Sequence, residues 1–172
     1  MATKTAINAK PRTFSTRVDL PEQTRARVID MLNQFLADTL DMASQAKQAH
    51  WNVKGPEFYH LHLLFDEIAG EMFEAVDEIA ERVTALGGYA RGTVRMSAEH
   101  SRLGEYPTDA VDSMAHVKAL SEKLGTFANE VRRGIDQSAE LGDQGTADLL
   151  TALVREADKR LWFLEAHLQG KV

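Results

Sequence analysis

The chain has 172 residues, 44% hydrophobic and 27% charged, a balance typical of one globular domain with a sizeable core. It contains no cysteine, which excludes thiolate catalysis, disulfide bonds and thiolate metal ligands. No apolar run approaches the roughly 18 residues of a membrane span. The first residues also lack the apolar segment of a secretory signal, so we expect a cytoplasmic protein.

Charge is distributed unevenly along the chain. The formal net charge is −6, yet residues 1–18 carry four basic side chains and no acidic one. These basic residues are Lys4, Lys10, Arg12 and Arg17. The segment is polar and has no helical period, so we predict a flexible N-terminal arm over residues 1–20 and one folded domain over 21–172. A basic arm on an acidic domain suits contact with an anionic polymer. A solubilising tail is the alternative.

Four long segments have the apolar periodicity of amphipathic helices. They span about residues 21–51, 57–86, 109–141 and 146–168. Gly55-Pro56 separates the first two, and Gly87-Gly88 ends the second. Residues 89–106 form a long connection with at most one short helical turn. Four helices with one long crossover between the second and third predict an all-α, ferritin-like four-helix bundle.

The second predicted helix carries His62, Asp66, Asp77 and Glu81 in symmetric positions. Each pair is one helical turn apart, so the four side chains lie on one side of the helix. The pairs are centred about 22 Å apart at roughly 1.5 Å of rise per residue. One ion cannot bridge them, because metal–ligand bonds are only about 2 Å long. An antiparallel copy of the helix, related by a two-fold axis near residues 71–72, would place His62 beside the partner's Glu81 and Asp66 beside the partner's Asp77.

Two further residues fit this arrangement. Gly70 lies beside the proposed axis, where glycine lets two helices approach closely despite its cost of about 1 kcal/mol within a helix. Chance tolerance of this glycine is the alternative. His50 and His62 are symmetric about Pro56, so a hairpin turning at Gly55-Pro56 places them side by side. Mixed imidazole and carboxylate ligands favour iron, zinc or manganese over magnesium or calcium.

The sequence also contains a specific combination of short motifs. They are AHWNVKGP at 49–56, then His62, Asp66, Asp77, Ala80-Glu81-Arg82, Leu86-Gly87-Gly88, Tyr106-Pro107, Thr146-Ala147-Asp148 and DKRLWF at 158–163. In this combination, over about residues 25–168, the chain resembles the Dps family, the DNA-binding proteins from starved cells that are also called mini-ferritins.

The resemblance implies a hollow shell of twelve subunits, built from two-fold dimers. Fe(II) would be oxidised at ferroxidase sites in the dimer interfaces, preferentially by hydrogen peroxide or else by oxygen, and stored as a ferric mineral, which protects DNA. The family's ligands fall on His50, His62, Asp66, Asp77 and Glu81, with at most two irons per site. Zinc or manganese could compete. Trp51 matches the family's tryptophan beside the site, where electron transfer or packing is its expected role.

The resemblance also implies acidic pores that admit iron. The acidic residues available around the turn between the last two helices are Asp136, Glu140, Asp143 and Asp148, and a solvated acidic turn is the alternative. Two rival functions stay open. One is a nucleoid-associated protein that packs DNA through the basic N-terminal arm and whose iron chemistry is secondary. The other is a ferritin-like protein with its di-iron site inside one subunit. His100, His116 and His167 have no ligand-spaced partners and are expected to be surface or packing residues, and Trp162-Phe163 is expected in the core.

Overall fold

A computed structural model of the chain describes residues 12–170, which form five α-helices. They are α1 (Glu22–Asn52), α2 (Phe58–Ala85), α3 (Val94–His100), α4 (Ser113–Glu140) and α5 (Gln144–Gln169). Within these residues there is no β-strand. The predicted all-α bundle is confirmed, and the short α3 lies in the predicted long connection. In the described part of the chain, no helix is both long and apolar enough to cross a membrane.

The four long helices pack as two hairpins, α1 with α2 and α4 with α5. Contacts of α1 with α4 and of α2 with α5 join the hairpins into one bundle. Apolar side chains at helical spacing fill the space between them and are fully buried, among them Leu32, Leu36, Phe65, Ile68, Leu120, Phe127 and Leu150. Burial of this shared core against water is the main stabilising contribution to such a bundle.

Two glycines define the ends of α2. Gly55, in the turn before α2, has a φ of +114°, and Gly87, just after it, has a φ of +86°. Side chains with a Cβ rarely adopt these conformations, so glycine is the residue that fits both turns. After α2, the Gly88 amide donates to the Val83 carbonyl at 2.9 Å, a common way to end a helix. The two glycine turns therefore set where the helix that carries the predicted ligands begins and ends.

Buried polar side chains on α1 anchor the crossover between α2 and α4. The Asn33 amide donates to the carbonyl of Tyr89 at 3.2 Å and accepts from the Arg91 amide at 2.8 Å. Asp38 is buried and accepts from the Arg102 amide at 2.9 Å and from its guanidinium at 2.9 and 2.6 Å. These bonds satisfy backbone groups that a long connection would otherwise leave unpaired.

The described part of the predicted arm lies against the end of α2. The Phe14 amide donates to the Gly87 carbonyl at 2.8 Å, and a Cβ on Gly87 would lie 2.4 Å from the Phe14 oxygen. Arg12 and Arg17 are exposed. Lys4 and Lys10 lie outside the described residues. The segment over 14–18 is thus a contact between the arm and the bundle.

Polar contacts also tie α2 to α5. The Arg160 guanidinium donates to the carboxylates of Glu67 at 2.7 Å and Glu71 at 2.7 Å. The expected core position of Trp162 is wrong, because its side chain is 63% exposed on the outer face of α5. Phe163 is half-buried, with the Arg160 guanidinium 5.5 Å from its ring centroid.

Candidate metal centre

His50 and His62 face each other across the α1–α2 hairpin. His50 lies in the last turn of α1 and His62 in the second turn of α2. Their rings stack with centroids 3.7 Å apart and an angle of 19° between the planes. The turn at Gly55-Pro56 therefore brings together two imidazoles that are twelve residues apart in sequence.

Reciprocal hydrogen bonds orient both imidazoles. Nδ1 of His50 lies 2.7 Å from the His62 carbonyl oxygen, and Nδ1 of His62 lies 2.9 Å from the His50 carbonyl oxygen. A carbonyl oxygen only accepts, so each Nδ1 carries the hydrogen and donates it. In the neutral ring, the lone pair is then on Nε2 of both residues. A backbone partner at one ring nitrogen is the usual way to present the other nitrogen to a metal ion.

Asp66 lies one turn beyond His62, beside the imidazole pair. Its Oδ1 is 4.0 Å from Nδ1 of His50 and accepts a 2.6 Å hydrogen bond from Nζ of Lys47. This bond from Lys47 lowers the pKa of the Asp66 carboxyl below its usual value, so the group is ionised at neutral pH. The ion pair uses one carboxylate oxygen, and the side chain is 51% exposed. Asp66 is thus a charged oxygen ligand with a competing cation already in contact.

Asp77 and Glu81 are both exposed on the second half of α2. Among residues 12–170, no three His, Asp or Glu side chains lie close enough together to hold a metal ion. The donor set fits iron, because it combines two imidazole nitrogens with carboxylate oxygens. One chain presents this set as two separated groups, one at each end of α2.

Trp51 follows His50 on α1 and is 66% exposed. Nζ of Lys47 lies 5.9 Å from the centroid of its ring, within the range of a cation–π contact. Trp51 therefore does not pack in the core of its own subunit, and its indole lies beside the cation that pairs with Asp66.

The four acidic residues considered for a pore differ in their surroundings. Asp136, Glu140 and Asp148 are all exposed, on the last turns of α4 and the first turns of α5. Asp143 is 2% exposed and caps α5, accepting from the Thr146 amide at 3.0 Å and from the Arg82 guanidinium at 2.7 Å. Its carboxylate is already engaged in these contacts. The N-cap of α5 is thus Asp143, so this helix begins two residues before the start predicted from the sequence, residue 146.

Lys47 and Arg82 are site-related residues that the sequence analysis did not single out. The hairpin symmetry that pairs His50 with His62 also places Lys47 opposite residue 65, next to Asp66. The same register could therefore have predicted the ion pair from the sequence. Arg82 follows the predicted ligand Glu81, and its contact with Asp143 holds the end of α2 against the α4–α5 turn. No sequence spacing indicates that second contact.

Comparisons with known proteins agree with this fold. The family model of the ferritin-like domain matches residues 29–170. The chain therefore belongs to the ferritin-like family. It is 46% identical over 160 residues to the DNA protection during starvation protein of Agrobacterium fabrum, a match that covers 93% of this chain and 99% of that protein.

Solved structures narrow the assignment. DpsC from Streptomyces coelicolor superposes with a TM-score of 0.89 at 33% identity, covering 98% of both chains. The Vibrio cholerae Dps, described as a member of a broad superfamily of ferritin-like diiron-carboxylate proteins, has a TM-score of 0.83 at 27% identity and covers 91% of this chain and 98% of its own. Within the ferritin-like family, the chain is a member of the Dps family.

Proposed function

We propose that the protein is an iron-oxidising and iron-storing mini-ferritin, whose ferroxidase sites are shared between two subunits. The observation that carries this proposal is the imidazole pair His50–His62, held by reciprocal backbone hydrogen bonds beside the ionised Asp66. The missing carboxylates are Asp77 and Glu81, supplied by a second copy of the chain. Membership of the Dps family supports the same assignment.

The outer face of α2 supports two-fold packing. Asp66, Gly70 and Phe73 follow one another along this face at helical spacing, and all three are exposed. A two-fold axis near residues 71–72 places position 73 of one α2 helix opposite position 70 of the other. Phe73, 48% exposed, then meets Gly70 of the partner subunit, and a Cβ built on Gly70 would have no atom of its own chain within 4 Å. The open position at Gly70 suits an aromatic ring from the partner.

The chemistry follows from two Fe(II) ions held at one site. Each Fe(II) gives one electron to a single hydrogen peroxide molecule, the O–O bond breaks, and two protons from solvent complete two molecules of water. Ionised carboxylates stabilise the Fe(III) that forms, because they are hard, negatively charged ligands. Delivery of both electrons from one site avoids release of hydroxyl radical, which would damage DNA. Molecular oxygen is the alternative oxidant, and zinc or manganese are competing ions.

Storage requires a closed assembly, and we propose a dodecamer of six two-fold dimers that encloses the ferric product. Asp136, Glu140 and Asp148 are the solvent-accessible carboxylates that this proposal places at an iron entrance. Asp143 is left out, because it is buried and engaged with Arg82 and Thr146. An acidic rim would raise the local concentration of Fe(II).

Mixed dimers of two inactive variants test the shared site. In a dimer of His62→Ala with Asp77→Ala, one site carries both defects and the other carries neither. Random reassembly makes half of the dimers mixed, so about a quarter of all sites should regain activity. Fe(II) oxidation by hydrogen peroxide is measured for each variant alone and for the reassembled mixture. His60→Ala, which removes an exposed histidine near the site residues of α2, is the matched control and should retain full activity.

The same experiment separates the rival functions. Absence of rescue in dimers verified as mixed would reject shared sites. A di-iron site inside one subunit would give that result, but residues 12–170 contain no three-ligand group to form it.

DNA packing is a second candidate function. The observation that favours it is the exposure of Arg12 and Arg17 on a segment whose neighbouring residue, Phe14, is bonded to the bundle. Such an arm would present its basic side chains at a defined place on the surface. The relative from Agrobacterium fabrum carries DNA protection in its name. Binding would depend on phosphate neutralisation and would weaken as salt rises.

A further inference from the structure

Arg82 joins the end of α2 to the turn between α4 and α5. Its Nη2 donates to Oδ1 of Asp143 at 2.7 Å, and its Nε donates to the hydroxyl oxygen of Thr146 at 3.0 Å. Asp143 is 2% exposed and Thr146 is fully buried. A guanidinium that bonds two partners at once is fixed in direction as well as in position. The backbone of α2 at residue 82 is thereby tied to a buried part of the neighbouring hairpin.

The α4–α5 turn is shaped to receive this guanidinium. Both carboxylate oxygens of Asp143 are also bonded to Thr146, Oδ1 to its amide at 3.0 Å and Oδ2 to its hydroxyl at 2.6 Å. A Cβ on Gly145 would lie 3.0 Å from Nη2 of Arg82 and 3.4 Å from its Cζ. The φ of Gly145 is not positive, so the turn conformation itself does not require glycine. The close approach of Arg82 is the feature that does.

The position of Arg82 links this contact to the proposed metal site. Glu81, the residue before it, lies in the last turns of α2, and helix ends open more readily than helix centres. Neighbouring helical residues point about 100° apart, so Arg82 can hold the helix without engaging the carboxylate of Glu81. Metal ligands must be placed to within about 0.5 Å, because their bonds to the ion are short. A small movement of this helix end would therefore remove Glu81 from the ion.

We propose that Arg82 is a positioning residue for the carboxylate half of the shared metal site. Its bonds to Asp143 and Thr146 fix the last turns of α2, and thereby the place from which Glu81 reaches an ion held by the imidazole pair of the partner subunit. Arg82 itself contacts no metal in this arrangement. The inference rests on the proposed function, because it requires Glu81 to be a ligand.

Two variants disturb this contact in different ways. Arg82→Gln/Asp143→Asn removes both charges and leaves no unpaired carboxylate in the interior, and asparagine still caps α5. Gly145→Ala keeps the arginine and places a methyl group where the guanidinium lies. The matched control is Arg132→Gln/Asp158→Asn, which removes an exposed pair between α4 and α5. We expect all three metal-free proteins to keep the helix content of the wild type.

Co(II) is the probe, because its visible absorption depends on the number and arrangement of its ligands. We expect the Arg82/Asp143 variant and Gly145→Ala to bind Co(II) about tenfold more weakly, as proteins do when the contacts that support metal ligands are lost. Their spectra should change in the same direction as that of Glu81→Gln, whereas the control keeps the wild-type spectrum. A purely structural role would lower the unfolding temperature and leave the spectrum of the loaded protein unchanged.

Wild-type Co(II) spectra in both variants, beside a changed spectrum in Glu81→Gln, would overturn the proposal. An unchanged spectrum in Glu81→Gln would reject Glu81 as a ligand, and the inference with it.

Mixed dimers identify the half-site on which Arg82 acts. Paired with His62→Ala, the Arg82/Asp143 variant contributes its histidines to a site whose carboxylates come from the other subunit, so one site of two should show the wild-type spectrum. Paired with Asp77→Ala, it leaves no intact site. Recovery with both partners, or with neither, would contradict a role confined to the carboxylate half. If His62→Ala and Asp77→Ala fail to complement each other, shared sites are rejected, and the Co(II) spectra of the unmixed variants still decide the role of Arg82.

Discussion

Lys47 occupies a carboxylate that the proposed metal centre needs. Its Nζ lies 2.6 Å from Oδ1 of Asp66, so a metal ion must displace it or bind the other oxygen. Lys47→Met keeps the apolar part of the side chain and removes the charge. We expect divalent metal to bind about two- to fivefold more tightly, the scale set by an exposed ion pair. Calorimetric titration with Zn(II), which air does not oxidise, measures this change.

The matched control for Lys47 is Lys159→Met. Lys159 pairs with Glu156 at 3.3 Å on α5, a similar exposed ion pair away from the site residues. Its removal should leave metal affinity unchanged. Equal binding in Lys47→Met would mean that the lysine does not compete with metal, and weaker binding would mean that it assists the site.

His116 should make the stability of the bundle depend on pH. Its pKa in the folded protein is below the ordinary value of 6.5, because burial outweighs the attraction of Asp112 and the Asn52 carbonyl, and Lys54 also disfavours the charge. Below pH 6.5 the unfolded chain therefore binds more protons than the folded chain, and the free energy of unfolding falls as the pH drops towards the folded pKa. Above pH 6.5 the His116 ring is neutral in the unfolded chain as well, and it no longer lowers the free energy of unfolding. Urea unfolding of metal-free protein between about pH 7.5 and 5.5 measures the slope.

The His116→Gln variant should flatten this slope, because the substituted side chain does not titrate. His100→Gln is the control, since His100 is exposed on α3. A slope that is the same in the wild type and the His116 variant would assign the pH dependence to other groups.

At the scale of the helices, alanine substitutions at two glycines should change the free energy of unfolding in opposite directions. A Cβ at Gly134 on α4 would lie 2.5 Å from the Phe35 ring on α1 and 3.0 Å from Leu150 on α5. Gly134→Ala should therefore lower the free energy of unfolding by about 1–3 kcal/mol, as overpacked cores do. A Cβ at Gly70 meets nothing within 4 Å in one chain, so Gly70→Ala should gain up to about 1 kcal/mol of helix propensity.

The proposed dimer reverses the expectation for Gly70. If Phe73 of the partner subunit packs against this position, alanine should weaken dimerisation while the helix itself becomes more stable. Sedimentation equilibrium measures the dimer affinity, and helix content from circular dichroism reports the stability of the helix. Unchanged dimer affinity in Gly70→Ala would contradict close approach of the two helices at this residue.

At the scale of the whole molecule, we propose that the basic arm mediates DNA binding. Lys4→Gln/Lys10→Gln keeps the length of the arm and removes two charges per subunit. We expect weaker DNA binding and a shallower dependence of log affinity on log salt, since each neutralised phosphate contributes about 0.9 to that slope. Gel shifts at rising salt concentration measure both. Full-length protein that gives no shift at low salt would exclude the DNA-packing function.

The proposed assembly would multiply the effect of each arm. Several arms on one shell would act together on DNA, so small affinities per arm would combine into avidity. The contact of Phe14 with Gly87 holds the described end of each arm against the bundle, which shortens its reach. The proposed ferroxidase site and the arm meet on the same helix, because Gly87 follows the end of α2 and Glu81 lies in its last turns.

The helices and the positions of the proposed metal-ligand residues could be predicted from the sequence, because they depend on local rules. Helical periodicity places His62, Asp66, Asp77 and Glu81 on one side of α2, and glycines mark its ends. The pairing of His50 with His62 follows from the short turn at Gly55-Pro56, which leaves a hairpin only one simple register. The role of these residues as shared ligands stays a prediction, to be tested by mixed dimers.

Only the tertiary structure decided the contacts between distant side chains. Lys47 binds Asp66, Asp143 is buried beneath Arg82, and Trp162 faces outwards. These outcomes depend on how the crossover and the two hairpins pack, which fixes the distance and burial of each side chain. Apolar periodicity is a property of one helix, whereas the partner of a charged or aromatic side chain is set by the neighbouring helices. The sequence alone therefore determined the helices and the symmetric spacing of the proposed ligands along α2. The packing of the helices determined which charged and aromatic side chains are in contact.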